Sequence, residues 1–203
     1  MPESIKKTAC LALAGVEEAV AYLQASLHSQ VHAALELAWP ALSVLKTPAG
    51  GSLFAHAVGT AKIVDELRLG EEAVLAALLS QLVERVEGDA LESFGEAVSL
   101  AKAVAAMSRI EVLARGAEDP DIETGAQTES LRQMVLAMVQ DVRAVLVKLA
   151  ERTHALRCAA KADAALQQRL GRQTRDLFAP LANRLGVWQI KWEMEDWACR
   201  YLD

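Results

Sequence analysis

An all-α fold, a compact orthogonal bundle of several helices, is what this sequence predicts. Three observations carry that expectation. Hydrophobic residues make up 53% of the 203 residues but aromatic ones only 4%, so the core is aliphatic. Ala and Leu dominate, and both are strong helix formers. Runs of strict alternation rich in Val, Ile and Thr are absent, which argues against a sheet-based fold. A chain of this length buries enough apolar surface to fold without disulfide staples. We expect residues 1–203 to form a single helical domain, with the helices of 1–46 as its N-terminal part.

The elements follow from periodicity and punctuation. Apolar residues recur at helical spacing over 8–27 and again over 29–46, where Pro40 is expected to kink or restart the helix. Thr47-Pro48-Ala49-Gly50-Gly51-Ser52 is the clearest loop. Residues 53–67 form the next helix, closed by Arg68-Leu69-Gly70. A helix over 71–86 follows, with Glu71 and Glu72 at its positive N-terminal end. Gly88-Asp89 makes a turn, and 90–114 reads as one long helix or two short ones with Gly95 as the weak point. The acidic stretch from Arg115 to Ser130, with Gly116, Pro120 and Gly125, reads as an exposed loop. It is either a solvated connection or a regulatory contact.

The run 129–158 is helical and very apolar, a candidate central helix with a break near Gln140-Asp141. Another helix covers 162–178. Pro180 opens a short one as a first-turn proline, and Gly186 ends it. The last helix, 188–202, carries Trp188, Trp192 and Trp197 among charged residues.

Composition also limits function. The formal net charge of −6 disfavours a general nucleic-acid binder, which carries a basic excess. Cys10, Cys158 and Cys199 are odd in number and show no CxxC, which reads as reduced, buried thiols in a cytoplasmic protein. The start, Met1 to Lys7 and then an apolar run broken by Glu17 and Glu18, is too interrupted for a signal peptide. No apolar stretch reaches the roughly 18 residues of a membrane span. We expect no membrane and no direct nucleic-acid partner.

Four histidines are the first candidates for chemistry. His28 and His32 are spaced i,i+4, with Glu36 one turn on. Such a row either binds a metal or forms an exposed polar stripe, and the stripe is favoured because no zinc-protease glutamate lies beside His28. His56 follows the glycine-rich loop and opens an apolar helix, the common place for a structural histidine.

Context changes the weight of His56. The segments His56 to Arg85, Asp141 to Arg157 with Lys148-Leu149-Ala150-Glu151-Arg152, Phe178 to Val187 with "APLANRLG", and Lys191 to Leu202 with "KWEMED" and "RYL" together resemble the N-terminal hydrolase domain of the RelA/SpoT family. The resemblance covers roughly residues 53–203. It implies an HD-type helical domain, which in active members uses manganese to remove the 3′-pyrophosphate of (p)ppGpp.

The family metal set is a His, a His-Asp pair and a distant Asp. The resemblance puts these at His56, Ser80-Gln81 and Glu151. It also implies a Glu-Asp pair where Glu84-Arg85 stands, and an asparagine where Ala155 stands. One imidazole and one carboxylate are therefore missing, and Arg85 carries a positive charge where a carboxylate would act. Manganese prefers several hard ligands in near-octahedral geometry, and metal-activated water needs the metal. No cofactor is expected.

The block "KLAER" in place of "KLADR" is similar to the synthetase-only RelA branch. That likeness implies a pseudo-hydrolase whose parent is a GTP diphosphokinase, with a synthetase domain following residue 203. The expected function is a catalytically inactive regulatory module in the stringent response. Its partners would be that synthetase domain and, through the parent, the ribosome. The alternative is a surviving manganese-dependent pyrophosphohydrolase using His56, Glu84, Glu151 and His154. A third option is a dimerisation or ribosome-contact domain.

Two further groups have competing readings. Lys148 and Arg152 share a helix face, with Arg143 and Arg157 nearby. They form either vestigial nucleotide contacts or ion pairs to Glu151 and Asp141, and the pairs are favoured. Trp188, Trp192 and Trp197 are expected to pack on the core and on the following domain, and exposed tryptophans would favour a homodimer.

Overall fold

Helix packs on helix throughout the computed structural model, which describes residues 19–23, 29–86, 88–115 and 141–203. Residues 19–23 are helical. The further helices are α1 (Ser29–Leu42), α2 (Leu53–Glu66), α3 (Glu71–Leu79), α4 (Glu96–Arg115), α5 (Val142–Cys158), α6 (Ala164–Gln173), α7 (Ala179–Arg184) and α8 (Trp188–Leu202). Among the described residues no strand forms, and the one extended pairing is an isolated bridge between Lys46 and Ser52. The fold is all-α, as the composition requires.

The centre of the bundle is α3, in which every residue from Ala73 to Leu79 is buried. It is packed by α1, α2, α4 and α5. This corrects the expectation that 129–158 holds the central helix. The described part of that run, α5, buries one face, while 129–140 lies outside the described residues. Length misled here: a short helix hydrophobic all round is buried all round, whereas a longer one with a charged face is not.

Several boundaries also differ. α1 continues through Pro40 but ends at Leu42, not near 46, since the proline falls in the last turn, where little helix remains to be disrupted. α3 ends at Leu79 rather than 86. Beyond it the chain tightens into i→i+3 bonds, from Leu82 N to Leu79 O (2.7 Å) and Arg85 N to Leu82 O (2.8 Å). The segment expected at 90–114 splits into a 3₁₀ turn (Gly88–Phe94) and α4, broken at Gly95, whose φ of +53° suits only glycine well.

The break expected near Gln140-Asp141 is a helix start. The Asp141 carboxylate accepts the Arg143 N–H at 2.8 Å and caps α5. The expected helix over 162–178 is α6 followed by a π-helical turn (Thr174–Phe178) that runs straight into α7. Pro180 lacks an N–H and its ring crowds the carbonyl one turn back, and a widened turn relieves that conflict.

The Trp stripe divides. Trp197 packs against the core and lies 5.6 Å from the Tyr201 ring. Trp188 and Trp192 are exposed, at 56% and 64%, with the Lys191 ammonium over both rings. The thiols are a correction: Cys158 and Cys199 are exposed, because Cys158 ends α5 beyond its last buried residue, Leu156, and Cys199 lies off the buried face of α8 that Ile190, Met194, Ala198 and Tyr201 form. Cys10, His28 and the stretch 116–140 lie outside the described residues. His32 Nδ1 is 3.6 Å from Glu36 Oε1 on an exposed face, the polar stripe the sequence favoured. Among the described residues no helix is long and apolar enough to cross a membrane.

Candidate functional site

His56 owes its position to the first turn of α2. Ser52 caps the helix, its hydroxyl accepting the Ala55 N–H at 3.1 Å. The preceding loop is closed by Thr47 N to Gly51 O (2.8 Å) and Gly50 N to Thr47 O (2.9 Å). The imidazole is thereby held, buried, where α2 faces α5.

From α5, one turn apart, come Glu151 and His154. His56 Nε2 lies 3.7 Å from Glu151 Oε1, and His56 Nδ1 lies 3.0 Å from His154 Nδ1. Two imidazole nitrogens at that distance share one proton, one donating and the other accepting. Gly59 is a contributor that sequence reasoning missed, since a glycine inside an apolar helix carries no signal of what packs over it. A Cβ built there would fall 1.9 Å from His154 Nε2, so the ring occupies the space a side chain would take.

Lys148 completes the polar side. Its ammonium is 3.0 Å from Glu151 Oε2 and donates to Ser108 Oγ at 2.7 Å, which ties α5 to α4. Ser108 is the second residue that sequence reasoning missed, since a serine inside an apolar helix carries no signal of its distant partner. Arg152, one turn on from Lys148, is buried too. It donates to Gln173 Oε1 at 3.2 Å and lies 4.1 Å from the Phe178 ring centroid. Arg143 pairs with Asp141 and Glu72, and Arg157 with Glu193, so ion pairing accounts for both.

The positions where the resemblance implies a His-Asp pair behave differently from each other. The Ser80 hydroxyl is buried and donates to Ala77 O in its own helix at 3.1 Å. The Gln81 amide reaches Glu151 Oε1 at a long 3.5 Å. Glu84 and Arg85 lie exposed in the turn after α3, away from the cavity wall. The expectation that Arg85 projects its charge into the cleft is corrected: the helix has ended, and the guanidinium folds back to donate to the Gln81 carbonyl.

Electrostatics follow from this crowding. Burial works against ionising Glu151, but the Lys148 ammonium and the His56 imidazole outweigh it and hold the carboxyl well below the usual range. His154 is pushed down to about 3 by burial first, then by His56 and Arg157, so it is neutral at neutral pH. Although the Cys158 side chain reaches solvent, desolvation by the protein around its sulfur raises the thiol, with Arg157 opposing, which makes it a poor nucleophile there.

These groups line a cavity of about 220 Å³. His56, Gln81, Ser108, Lys148, Glu151 and Arg152 form its polar wall. Pro48, Leu53, Ala155, Leu166 and Leu170 form its apolar wall, with Arg169 and Cys158 also on the lining. Neither Ser80 nor any tryptophan of α8 is on the wall.

A manganese ion is tested against this donor set and does not fit. It needs several hard ligands around one point. His56 and Glu151 alone offer ligand-type atoms at the family positions. Among the described residues no three His, Cys, Asp or Glu side chains converge as a metal site. The Glu151 oxygens are already shared between an ammonium, an imidazole and an amide.

Comparison with known proteins places the chain. The HD domain family profile matches residues 34–188. A probable guanosine-3′,5′-bis(diphosphate) 3′-pyrophosphohydrolase of Synechocystis sp. is 38% identical over 159 residues, 76% of this chain and 20% of that protein. A GTP pyrophosphokinase of Myxococcus xanthus is 36% identical over 157 residues, 75% of this chain and 20% of that protein. The bifunctional (p)ppGpp synthase/hydrolase SpoT of Escherichia coli is 36% identical over 151 residues, 72% of this chain and 20% of that protein. The chain thus spans about a fifth of the length of the curated relatives it matches.

Proposed function

This chain belongs to the RelA/SpoT family as its HD domain, and we propose that it is a catalytically inactive (p)ppGpp hydrolase-like module that regulates and supports a longer GTP diphosphokinase. The observation that carries this reading is the end of α3. At the two positions where an active member would offer an imidazole and a carboxylate, Ser80 satisfies its own helix and Gln81 presents an amide to Glu151. The helical scaffold around those positions is intact, with Ala73 to Leu79 fully packed. Loss of ligands without loss of fold is what a retained non-catalytic role requires.

Both kinds of named activity, hydrolase and pyrophosphokinase, occur among the relatives, and the second agrees with the "KLAER" block. In this reading the domain works in the cytoplasm, with a synthetase domain beyond residue 203 as its partner and the ribosome reached through the parent. The exposed Trp188 and Trp192 are the residues proposed to meet that domain. Regulation of this kind needs two states with different interdomain contacts.

The test is (p)ppGpp hydrolysis by the purified chain with added manganese. Absence of turnover is expected, and turnover at an enzyme-like rate overturns the proposal. One observation favours a second reading: His56 and Glu151 still face each other, with His154 behind them. A metal-dependent pyrophosphohydrolase with rearranged ligands would use that group and would carry a stoichiometric ion on metal analysis.

A further inference from the structure

We infer that the exposed face of α8 is a self-association surface, on which two copies of this chain pair antiparallel about a two-fold axis.

One stripe builds that face. Trp188, Trp192, Glu195, Cys199 and Leu202 follow one another in alternate steps of four and three residues, the seam by which one helix packs along another. The stripe lies opposite the buried Ile190, Met194 and Tyr201. At its N-terminal end stand Trp188 and Trp192, the two largest exposed apolar side chains among the described residues. The Lys191 ammonium sits over both rings and pairs with Glu195 at 2.9 Å. Beside the C-terminal half of the stripe runs a groove of about 690 Å³ between α7 and α8, walled by Pro180, Asn183, Ala198, Cys199 and Leu202.

Aromatic knobs at one end and a groove at the other suit a two-fold pairing, because each copy then supplies both halves of the contact. An axis crossing α8 midway between Trp188 and Cys199 sets Trp188 of one copy over Cys199 and the groove of the second copy. The same axis brings Lys191 of each copy beside Glu195 of the other. Charge selects the occupant. At a net charge of −6, copies of this chain repel one another in general. On this face Lys191 and Glu195 cancel, and antiparallel pairing repeats the cancellation across the axis, whereas parallel pairing would set like charges together. A strongly acidic or basic partner would meet no matching excess of charge here.

Size limits the strength. Each tryptophan has at most roughly 150–250 Å² to bury. One 15-residue helix therefore presents less than the roughly 800 Å² per partner of a standard interface. The expected dissociation constant is on the order of 10–100 µM. The synthetase domain proposed above would meet the same tryptophans, and one face cannot hold both. Self-pairing is thus one of two alternative contact states, and that consequence alone rests on the proposed function.

The experiment is sedimentation equilibrium of the 203-residue chain over about 5–500 µM, which brackets that constant. A monomer–dimer equilibrium is expected. Trp192→Ala, Lys191→Glu and Glu195→Lys should each weaken it about tenfold or more. An equimolar mixture of Lys191→Glu and Glu195→Lys should associate again, to within about threefold of the parent, since opposite charges then face each other only between unlike copies. Should either reversal melt early, Trp192→Ala, whose side chain is mostly in water, carries the test. A parent that stays monomeric throughout overturns the inference and leaves the face to the synthetase domain. So does a dimer that Trp192→Ala leaves unchanged, or a mixture of well-folded reversals that associates no better than either alone. Hydrolysis is read separately. Turnover by a chain that pairs as expected would remove the proposed function and keep this surface, and no turnover by a monomer would do the reverse.

Discussion

His154 Nδ1 lies 3.0 Å from His56 Nδ1 across the contact between α2 and α5, and the two rings stand 5.0 Å apart between centroids. Both nitrogens cannot carry protons at that distance, so the pair requires one neutral acceptor. His154 is neutral, with its pKa held down to about 3 by burial and by the neighbouring His56 and Arg157, and the tautomers of the two rings set which of them donates. The contact joins the helix that carries the sequence-legible histidine to the helix that carries Glu151.

Stability should therefore fall with acid through a His154 window. In the unfolded chain this group takes up a proton near 6.5, and in the fold it does so only near 3. Between those values the unfolded state binds the extra proton. Its contribution is fully present above 6.5 and declines by up to about 1.4 kcal/mol per pH unit below that. Urea unfolding at pH 7, 6 and 5 checks this, and His154→Gln should flatten the decline over that range.

Gly59→Ala should destabilise the chain although alanine is the better helix former. The new Cβ would fall 1.9 Å from His154 Nε2. Overpacking of this kind costs about 1–3 kcal/mol, against a helix-propensity gain of at most about 1. Denaturant melts of Gly59→Ala alone and combined with His154→Ala separate the two effects. The loss should shrink once the ring is gone.

Asp141→Ala should cost about 1 kcal/mol, the usual worth of a helix N-cap. The Arg143 hydrogen bond holds the Asp141 carboxyl below its ordinary 3.8, with burial opposing. That stabilisation is present above the unfolded value and is lost as pH falls below it toward the folded one. Unfolding free energies measured at pH 7 and near pH 3 should differ less for Asp141→Ala than for the parent.

Trp188→Ala and Trp192→Ala should each change the stability of this chain by no more than about 0.5 kcal/mol, since both side chains are mostly in water. Trp197→Ala should cost several times as much, because that ring packs on the core and against Tyr201. Chemical denaturation of the three variants decides between a shared stripe and the divided one observed.

Much of this was legible in the chain. Ala and Leu without aromatics or alternation predicted helices. Thr47 to Ser52 predicted the loop before His56, and the i,i+3 spacing of Lys148 and Glu151 made their pairing available. The helix ends were less legible. The apolar pattern runs on past Leu79 even though the backbone tightens there, and nothing in the residues 162–178 announces a π turn.

What the sequence by itself determined is which chemical groups stand at the site: a serine and a glutamine where an imidazole and a carboxylate are implied, and a glutamate kept at 151. Identity of side chains is local and survives without coordinates. Tertiary structure alone decided that Arg85 turns away from the cavity, that Ser108 meets Lys148, and that His154 fills the space over Gly59. Those facts depend on where helices end and how closely they approach. Burial of charge in the packed interior sets them, and no single stretch of sequence encodes it.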